Sequence, residues 1–315
     1  MKITIISLDQ WGLDKHIVNH LEQMNGIEVQ HIDFSKFTYV YPSVFHKITN
    51  FFAKNLFNYN IKKAHLNKEI INQLKKLPKQ DKILMIKADH LLPQKIAEIK
   101  NYTHEFIAYF SDSIRKCPKI KKIHHHFDKV YSFERDDASN YGFNFITNYI
   151  YSEQEENSTK KEFSVFNISA FDKRIKIIEK IALKLDELTL NYKIISVGNN
   201  TYKSSSDITF TNDRMKLNIV ETYVKKSTAL LDVNTAGQQG LTFRVFESLG
   251  NKKKLITTNT DIVNYDFYNK NNILVINKDN IKIPVDFFET PYQEIPVLTY
   301  NKYCLTHWVK TVFDI

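Results

Sequence analysis

Residues 227–259, STALLDVNTAGQQGLTFRVFESLGNKKKLITTN, constrain the fold more than any other stretch of the chain. Residues 228–233 form a short apolar run followed by turn formers. Residues 234–240 hold two glycines and little that could pack a core. Leu241, Val245, Phe246 and Leu249 then recur at helical spacing, and Gly250-Asn251 reads as a C-terminal stop. Residues 254–258 open another strand. Such an alternation of strand, loop, helix and strand belongs to an α/β domain. The start of a helix after a glycine-bearing loop offers unbonded N–H groups and a partial positive charge, which suits a diphosphate. Arg244 and Glu247 are three apart and share one face of that helix. They are either a cation for phosphate and a carboxylate for a ribose diol, or an ordinary surface ion pair.

The rest of the chain extends the same pattern. Residues 2–8 read as a strand, 13–24 as a helix with Ile17, Leu21 and Met24 on one face, and 27–34 as a second strand. A doubly wound sheet places ligands at the carboxyl ends of its strands, so residues 9–12 either line a cleft or make a packed turn. Strands at 82–88 and 105–110 end at Asp89-His90 and at Ser111-Asp112-Ser113. Asp89, His90 and Asp112 therefore stand where a site belongs, each either a proton acceptor or a cap for the next helix. His124-His125-His126 is no metal site, because adjacent helical residues point apart; it reads as a polar helix end. Residues 152–161 are polar and aperiodic, the composition of a linker. Beyond them a second domain begins with a strand at 163–168, a helix at 172–187 carrying Arg174, and a strand at 192–197 followed by Gly198.

A chain of 315 residues, 43% hydrophobic and 25% charged, has the length for two domains and the composition of a globular protein. Two cysteines, Cys117 and Cys304, make neither a disulfide framework nor a metal cluster and fit a reducing compartment. The N-terminus lacks the apolar region of a signal peptide, and no 18-residue apolar run spans a membrane. A net charge of +9 attracts nucleic acid, anionic lipid or phosphorylated substrates. No nucleic-acid-binding signature accompanies it, and the first strand–helix turn, LDQWGLDK, lacks G-x-G-x-x-G, which disfavours a dinucleotide oxidoreductase. Residues 37–63 are aromatic and basic together. Phe45, Ile48, Phe51, Phe52, Leu56 and Phe57 form an apolar stripe that either lies on anionic membrane or packs on its own sheet. Phe52 is expected in the core, with at least one neighbour exposed on the acceptor side.

The segment TAGQQGLTFRVFESLGNKKKLITTN resembles the nucleotide-sugar motif in the C-terminal domain of GT-B glycosyltransferases, and is most similar to bacterial enzymes of lipopolysaccharide and capsule assembly. The resemblance implies an α/β fold of two Rossmann-like domains facing a cleft. Residues 1–151 would bind acceptor and 163–315 donor, with the last helix crossing back to the first domain. By the same resemblance Glu247 binds ribose, and Gly240, Leu241 and Thr242 with Arg244 face the diphosphate. Arg174 meets the donor phosphates, and Gly198 and Gln239 join the donor site. Many retaining members carry two glutamates eight positions apart; Gln239 stands at the earlier position here, so the stereochemical outcome stays open. A strand-end Asp like that in YFSDS favours Asp112 as base.

The implied reaction moves a sugar from a UDP- or dTDP-sugar to a lipopolysaccharide, capsule or other surface-glycan acceptor. It would run in the cytoplasm, with peripheral contact at the inner face of the inner membrane. No D-x-D occurs, so no metal or other cofactor is expected; nor is a nucleic-acid partner. The alternatives are a non-catalytic sugar-nucleotide-binding or polysaccharide-assembly protein of the same fold, and a nucleic-acid-binding protein using the +9 charge.

Overall fold

The computed structural model describes residues 1–56, 59–153, 160–199 and 201–315. Phe57 and most of the expected linker lie outside the described residues. The chain divides into two compact units, Met1–Ile146 with Val309–Ile315, and Thr147–Trp308.

The first unit is built on six parallel strands: β1 Lys2–Ser7, β2 Glu28–Asp33, β3 Gln80–Ile86, β4 Thr103–Phe110, β5 Lys129–Ser132 and β6 Asn144–Phe145. Their order is β2-β1-β3-β4-β5-β6. Parallel sheets are covered on both faces, so their strands are continuously apolar rather than alternating. Ile3, Ile5 and Ile6 of β1, Ile83, Leu84 and Met85 of β3, and Phe106, Ile107 and Ala108 of β4 are accordingly all buried. The helices are α1 Lys15–Glu22, α2 Val44–Leu56, α3 Ile61–Leu74, α4 Pro93–Ile99, α5 Ile120–Ile123 and α6 Arg135–Tyr141. His124–His126 form one 3-10 turn before β5, the polar helix end that the sequence implies.

Helix α2 corrects one expectation. Its apolar stripe faces outward, with Phe45 81% and Phe51 63% exposed, and Phe52, at 53%, is not core. The inward face carries Asn50, whose amide donates to the Tyr41 hydroxyl at 2.6 Å while its oxygen accepts from the Ile61 N–H at 2.8 Å. Periodicity shows that apolar side chains share a face; it does not say what covers that face.

The second unit has β7 Phe163–Ala170, β8 Tyr192–Val197, β9 Ile208–Thr211, β10 Ser227–Asp232, β11 Lys254–Thr257 and β12 Ile273–Val275, in the order β12-β11-β10-β7-β8-β9. All are parallel. Counted from β7 the order is that of a doubly wound dinucleotide-type sheet. Its helices are α7 Ile175–Glu187, α8 Leu217–Lys225, α9 Phe243–Gly250, α10 Asp286–Glu289 and α11 Val297–Asn301; α12 Leu305–Phe313 begins in this unit, and its residues from Val309 on belong to the first. Ile175, Ile178, Ile181, Ala182 and Leu185 of α7 pack with Val165, Ile194 and Leu231 in this unit's core.

Residues 147–152, read with the first domain and the start of the linker, belong to the second unit, where they run along α9. Asn148 donates to the Leu241 carbonyl at 2.8 Å, the Tyr151 hydroxyl bonds Glu247, and the Ser152 carbonyl accepts from the Asn251 amide at 3.4 Å. Ile150 is paired on its other side by the Tyr303 carbonyl at 2.8 Å. This strap changes the reading of Gly250. It is the last residue of α9 rather than a turn beyond it, and its φ is not positive. A Cβ there would fall on the Ser152 carbonyl and within 2.6 Å of Ile150 Cγ2. Gly250→Ala should therefore destabilise the second unit by about 1–3 kcal/mol, although alanine is the better helix former. An unchanged or raised midpoint in urea would show that the strap gives way freely.

Candidate functional site

In the second unit β7 has β8 on one side and β10 on the other, so its crossovers leave in opposite directions. The crevice that results lies at the carboxyl ends of β7 and β10. Asp232 ends β10, is buried, and accepts from the Thr242 hydroxyl at 2.8 Å and the Thr257 hydroxyl at 2.9 Å. Burial pushes its carboxyl up, and the two hydroxyls and nearby Arg174 oppose that rise. Asp232 thus ties the start of α9 to the end of β11.

Between these ties residues 233–242 are shaped by amides. Asn259 donates to the Gln239 carbonyl at 2.9 Å, Gln238 to the Gly240 carbonyl at 2.8 Å, and Asn234 to the Gln238 carbonyl at 2.9 Å. Gly237 takes φ +66°, open to glycine at little cost. Thr242 is the N-cap of α9; its oxygen accepts from the Arg244 N–H at 3.2 Å. Leu241 is buried and anchors the loop, while Gln239 is half-buried on it.

Arg174 arrives at the same edge from the strand next door. Its guanidinium donates to the Val233 carbonyl at 2.9 Å and is held on Asp172 at 2.8–3.0 Å. Gly198 follows β8 with φ +145°, and a Cβ there would come within 3.2 Å of Phe171 Cβ. Lys278, just past β12, is a cation that the sequence reading missed. Burial lowers its ammonium, and the charge of Asp232 works against that. No motif surrounds it, so only its place after a strand could have pointed there.

Arg244 and Glu247 lie otherwise than their spacing implied. They form an ion pair, but a buried one, with side chains 11% and 6% exposed. Arg244 holds one Glu247 oxygen and the Tyr151 hydroxyl holds the other. The guanidinium also lies over the Phe166 ring, 5.3 Å from its centroid. Burial first, then the Glu247 charge, keeps Tyr151 firmly protonated. Neither side chain is free to reach a ligand without giving up a partner inside the unit. Tyr151 was missed because it reads as part of the other domain.

In the first unit the strand order places the switch point between β1 and β3. Three aspartates gather at this edge. The Asp9 N–H donates to Asp33 at 3.2 Å, the Lys15 N–H to Asp9 at 3.0 Å, and Ser7 Oγ lies 2.9 Å from His31 Nε2. Burial, and then Asp9, push Asp14 up to about 7, so its carboxyl exchanges a proton near neutrality. The sequence reading passed over Asp14 as the start of a helix.

Asp89 and His90 share the 3-10 turn after β3, entered through Lys87 at φ 64°. Their side chains lie 3.9 Å apart, and burial lowers His90, leaving it a neutral imidazole near neutral pH. Asp112, after β4, is tied to Lys87 and, at 2.6 Å, to Lys116. Burial alone would raise its carboxyl; the two lysines outweigh burial and hold it below the usual carboxylate range, a poor proton acceptor. The structure thus brings Asp89 and His90 together and leaves Asp112 a strand away, engaged. Among the described residues no three His, Cys, Asp or Glu side chains group as metal ligands, and no helix is long and apolar enough to cross a membrane.

No protein-family model matches the sequence, and no curated protein does. The fold does recur among solved structures. A UDP-forming α,α-trehalose-phosphate synthase from Burkholderia vietnamiensis is similar at TM-score 0.60 and 10% identity, over 100% of this chain and 99% of that one. An α-glucosyltransferase in complex with UDP and a 13-mer DNA is similar at TM-score 0.57 and 11% identity, over 92% and 89%. A UDP-GlcNAc 2-epimerase from Methanocaldococcus jannaschii gives TM-score 0.50 and 14% identity, over 88% and 89%. Two six-stranded parallel Rossmann-like sheets with these neighbours define a GT-B fold. Two of the similar structures hold DNA, so the fold gives no ground for excluding a nucleic-acid partner.

Proposed function

We propose that the chain is a glycosyltransferase that takes a sugar from a UDP- or dTDP-sugar bound by the second unit. One observation carries this reading. Arg174 and the loop before α9 meet at the switch point of a doubly wound sheet, where the Gln238, Gln239 and Gly240 carbonyls accept from internal amides and the Thr242-capped helix start remains. Similar solved structures hold UDP, and in this chain Arg174 and Lys278 would offset the diphosphate charge. The acceptor is proposed to be a lipopolysaccharide, capsule or other surface glycan bound by the first unit, with Asp89 and His90 or Asp14 taking the hydroxyl proton. Transfer is proposed to need no metal, and the exposed face of α2 to rest on the anionic inner membrane surface from the cytoplasmic side.

The test begins with calorimetry of UDP and dTDP against wild type and Arg174→Ala. Loss of a charge-assisted contact should weaken the diphosphate by about 1.5–3 kcal/mol, roughly tenfold to a hundredfold. Equal affinity in both proteins would remove Arg174 from the site, and no binding by wild type would end the donor reading. Turnover of the bound donor should persist in EDTA; binding without turnover would favour the non-catalytic alternative. A second reading, DNA as acceptor, rests on the +9 charge and the DNA-bearing neighbours. It requires retention on DNA that falls steeply with salt.

A further inference from the structure

The first unit contains a pocket of about 530 Å³. Its walls include Tyr39, Lys62 and Lys63 from the start of α3, Asp89 and His90 from the turn after β3, and Lys119 from the segment before α5. Three lysines face one aspartate. The neighbouring lysines make the contrast, since Lys87 and Lys116 are both neutralised on Asp112. Among the described residues, Lys62, Lys63 and Lys119 carry no such ion pair. Lys62 lies over the Tyr41 ring at 5.0 Å, and the Lys63 amine has only the Asp89 carbonyl at 3.5 Å. The Cys117 thiol lies near Asp89, and burial followed by the Asp89 charge pushes it up. Lys63 and Lys119 face each other amine to amine, an arrangement that costs free energy until something negative separates them. Ammonium groups with three donors each suit the tetrahedral oxygens of a phosphoryl group.

We propose that this pocket binds a phosphoryl group carried by the acceptor, held by Lys62, Lys63 and Lys119 beside Asp89 and His90. As an acceptor subsite it rests on the glycosyltransferase reading; as an anion site it does not. Burial, and then Lys119, lower the Lys63 ammonium to about 8. With Lys62, Lys119, His90 and Asp89 as the charged or titratable groups facing it, binding should weaken as pH rises past that value and Lys63 loses its proton.

The experiment titrates four ligands by calorimetry into wild type, Lys63→Ala/Lys119→Ala and Lys119→Gln. They are inorganic phosphate, a hexose 6-phosphate, the uncharged hexose, and a short-chain phosphatidic acid below its micelle concentration. UDP affinity is measured on each protein. Wild type should bind a phosphorylated ligand at least about tenfold more tightly than the hexose, and the double variant should lose about tenfold or more of that affinity with UDP unchanged. Preference for the hexose phosphate or for the lipid phosphate names the source of the group. Lys119→Gln alters one exposed side chain and should lose part of the affinity even where the double variant is poorly folded. Phosphate affinity that is absent, or equal in all three proteins, overturns the proposal while UDP binding stands. Loss of UDP binding by wild type with phosphate binding intact overturns the donor reading and leaves this site in place.

Discussion

Glu247→Ala should cost the second unit about 3–5 kcal/mol of stability, because it removes one member of a buried ion pair and leaves the other charged. Arg244, its side chain 11% exposed, would keep its guanidinium inside the unit over the Phe166 ring, with its paired carboxylate gone. The Tyr151 hydroxyl would lose its acceptor as well, and with it a contact by which the 147–152 strap is held to α9. The double variant Arg244→Met/Glu247→Leu should be far less damaged, since apolar pairs of similar volume replace buried ion pairs at little cost. Urea denaturation of the three proteins checks this. A Glu247→Ala variant within about 1 kcal/mol of wild type would mean that the pair is solvated, and the ribose-binding role implied by the family resemblance would then be open to direct test. Until stability has been measured, a fall in donor affinity on Glu247→Ala carries no information about contact with the donor.

Strand and helix positions were readable because each depends on neighbours within one element. The apolar runs of β1, β3 and β4 and the 3.6-residue spacing of α7 and α9 are local signals, and the strand-end positions of Asp89, His90 and Asp112 follow from them. What each side chain meets is not local. Arg244 and Glu247 were correctly placed on one face of α9, yet that face is covered by Tyr151 from a distant segment that the sequence reads as leading into a linker. Gly250 resembles a helix stop at any scale shorter than its contact with Ser152. Asp14 looks like an ordinary helix start, and only its burial beside Asp9 brings its proton into the neutral range. The unpaired lysines of the 530 Å³ pocket come from three separated segments and have no motif at all.

Phe51→Ser/Phe52→Ser should leave the melting temperature of the protein nearly unchanged and, if the α2 face rests on anionic membrane as proposed, abolish most of the retention on anionic vesicles. The two rings are 63% and 53% exposed and meet edge to face at 5.7 Å between centroids. Removing exposed side chains costs within about 0.5 kcal/mol, whereas the same change in a core would cost about 3–5 kcal/mol for each ring. On a membrane the balance reverses. Each ring transferred from water into the acyl boundary contributes on the order of 1.5–3 kcal/mol, so losing both should weaken partitioning by a hundredfold or more. His46, Lys47 and Lys54 on the same helix add attraction for anionic headgroups, which makes neutral vesicles the control. Sedimentation with anionic and neutral vesicles, melting temperature and UDP affinity should be read on one preparation. A melting point lowered by many degrees would return the rings to a core that the structure does not show. A normal melting point with undiminished vesicle binding would exclude the α2 face as the membrane contact.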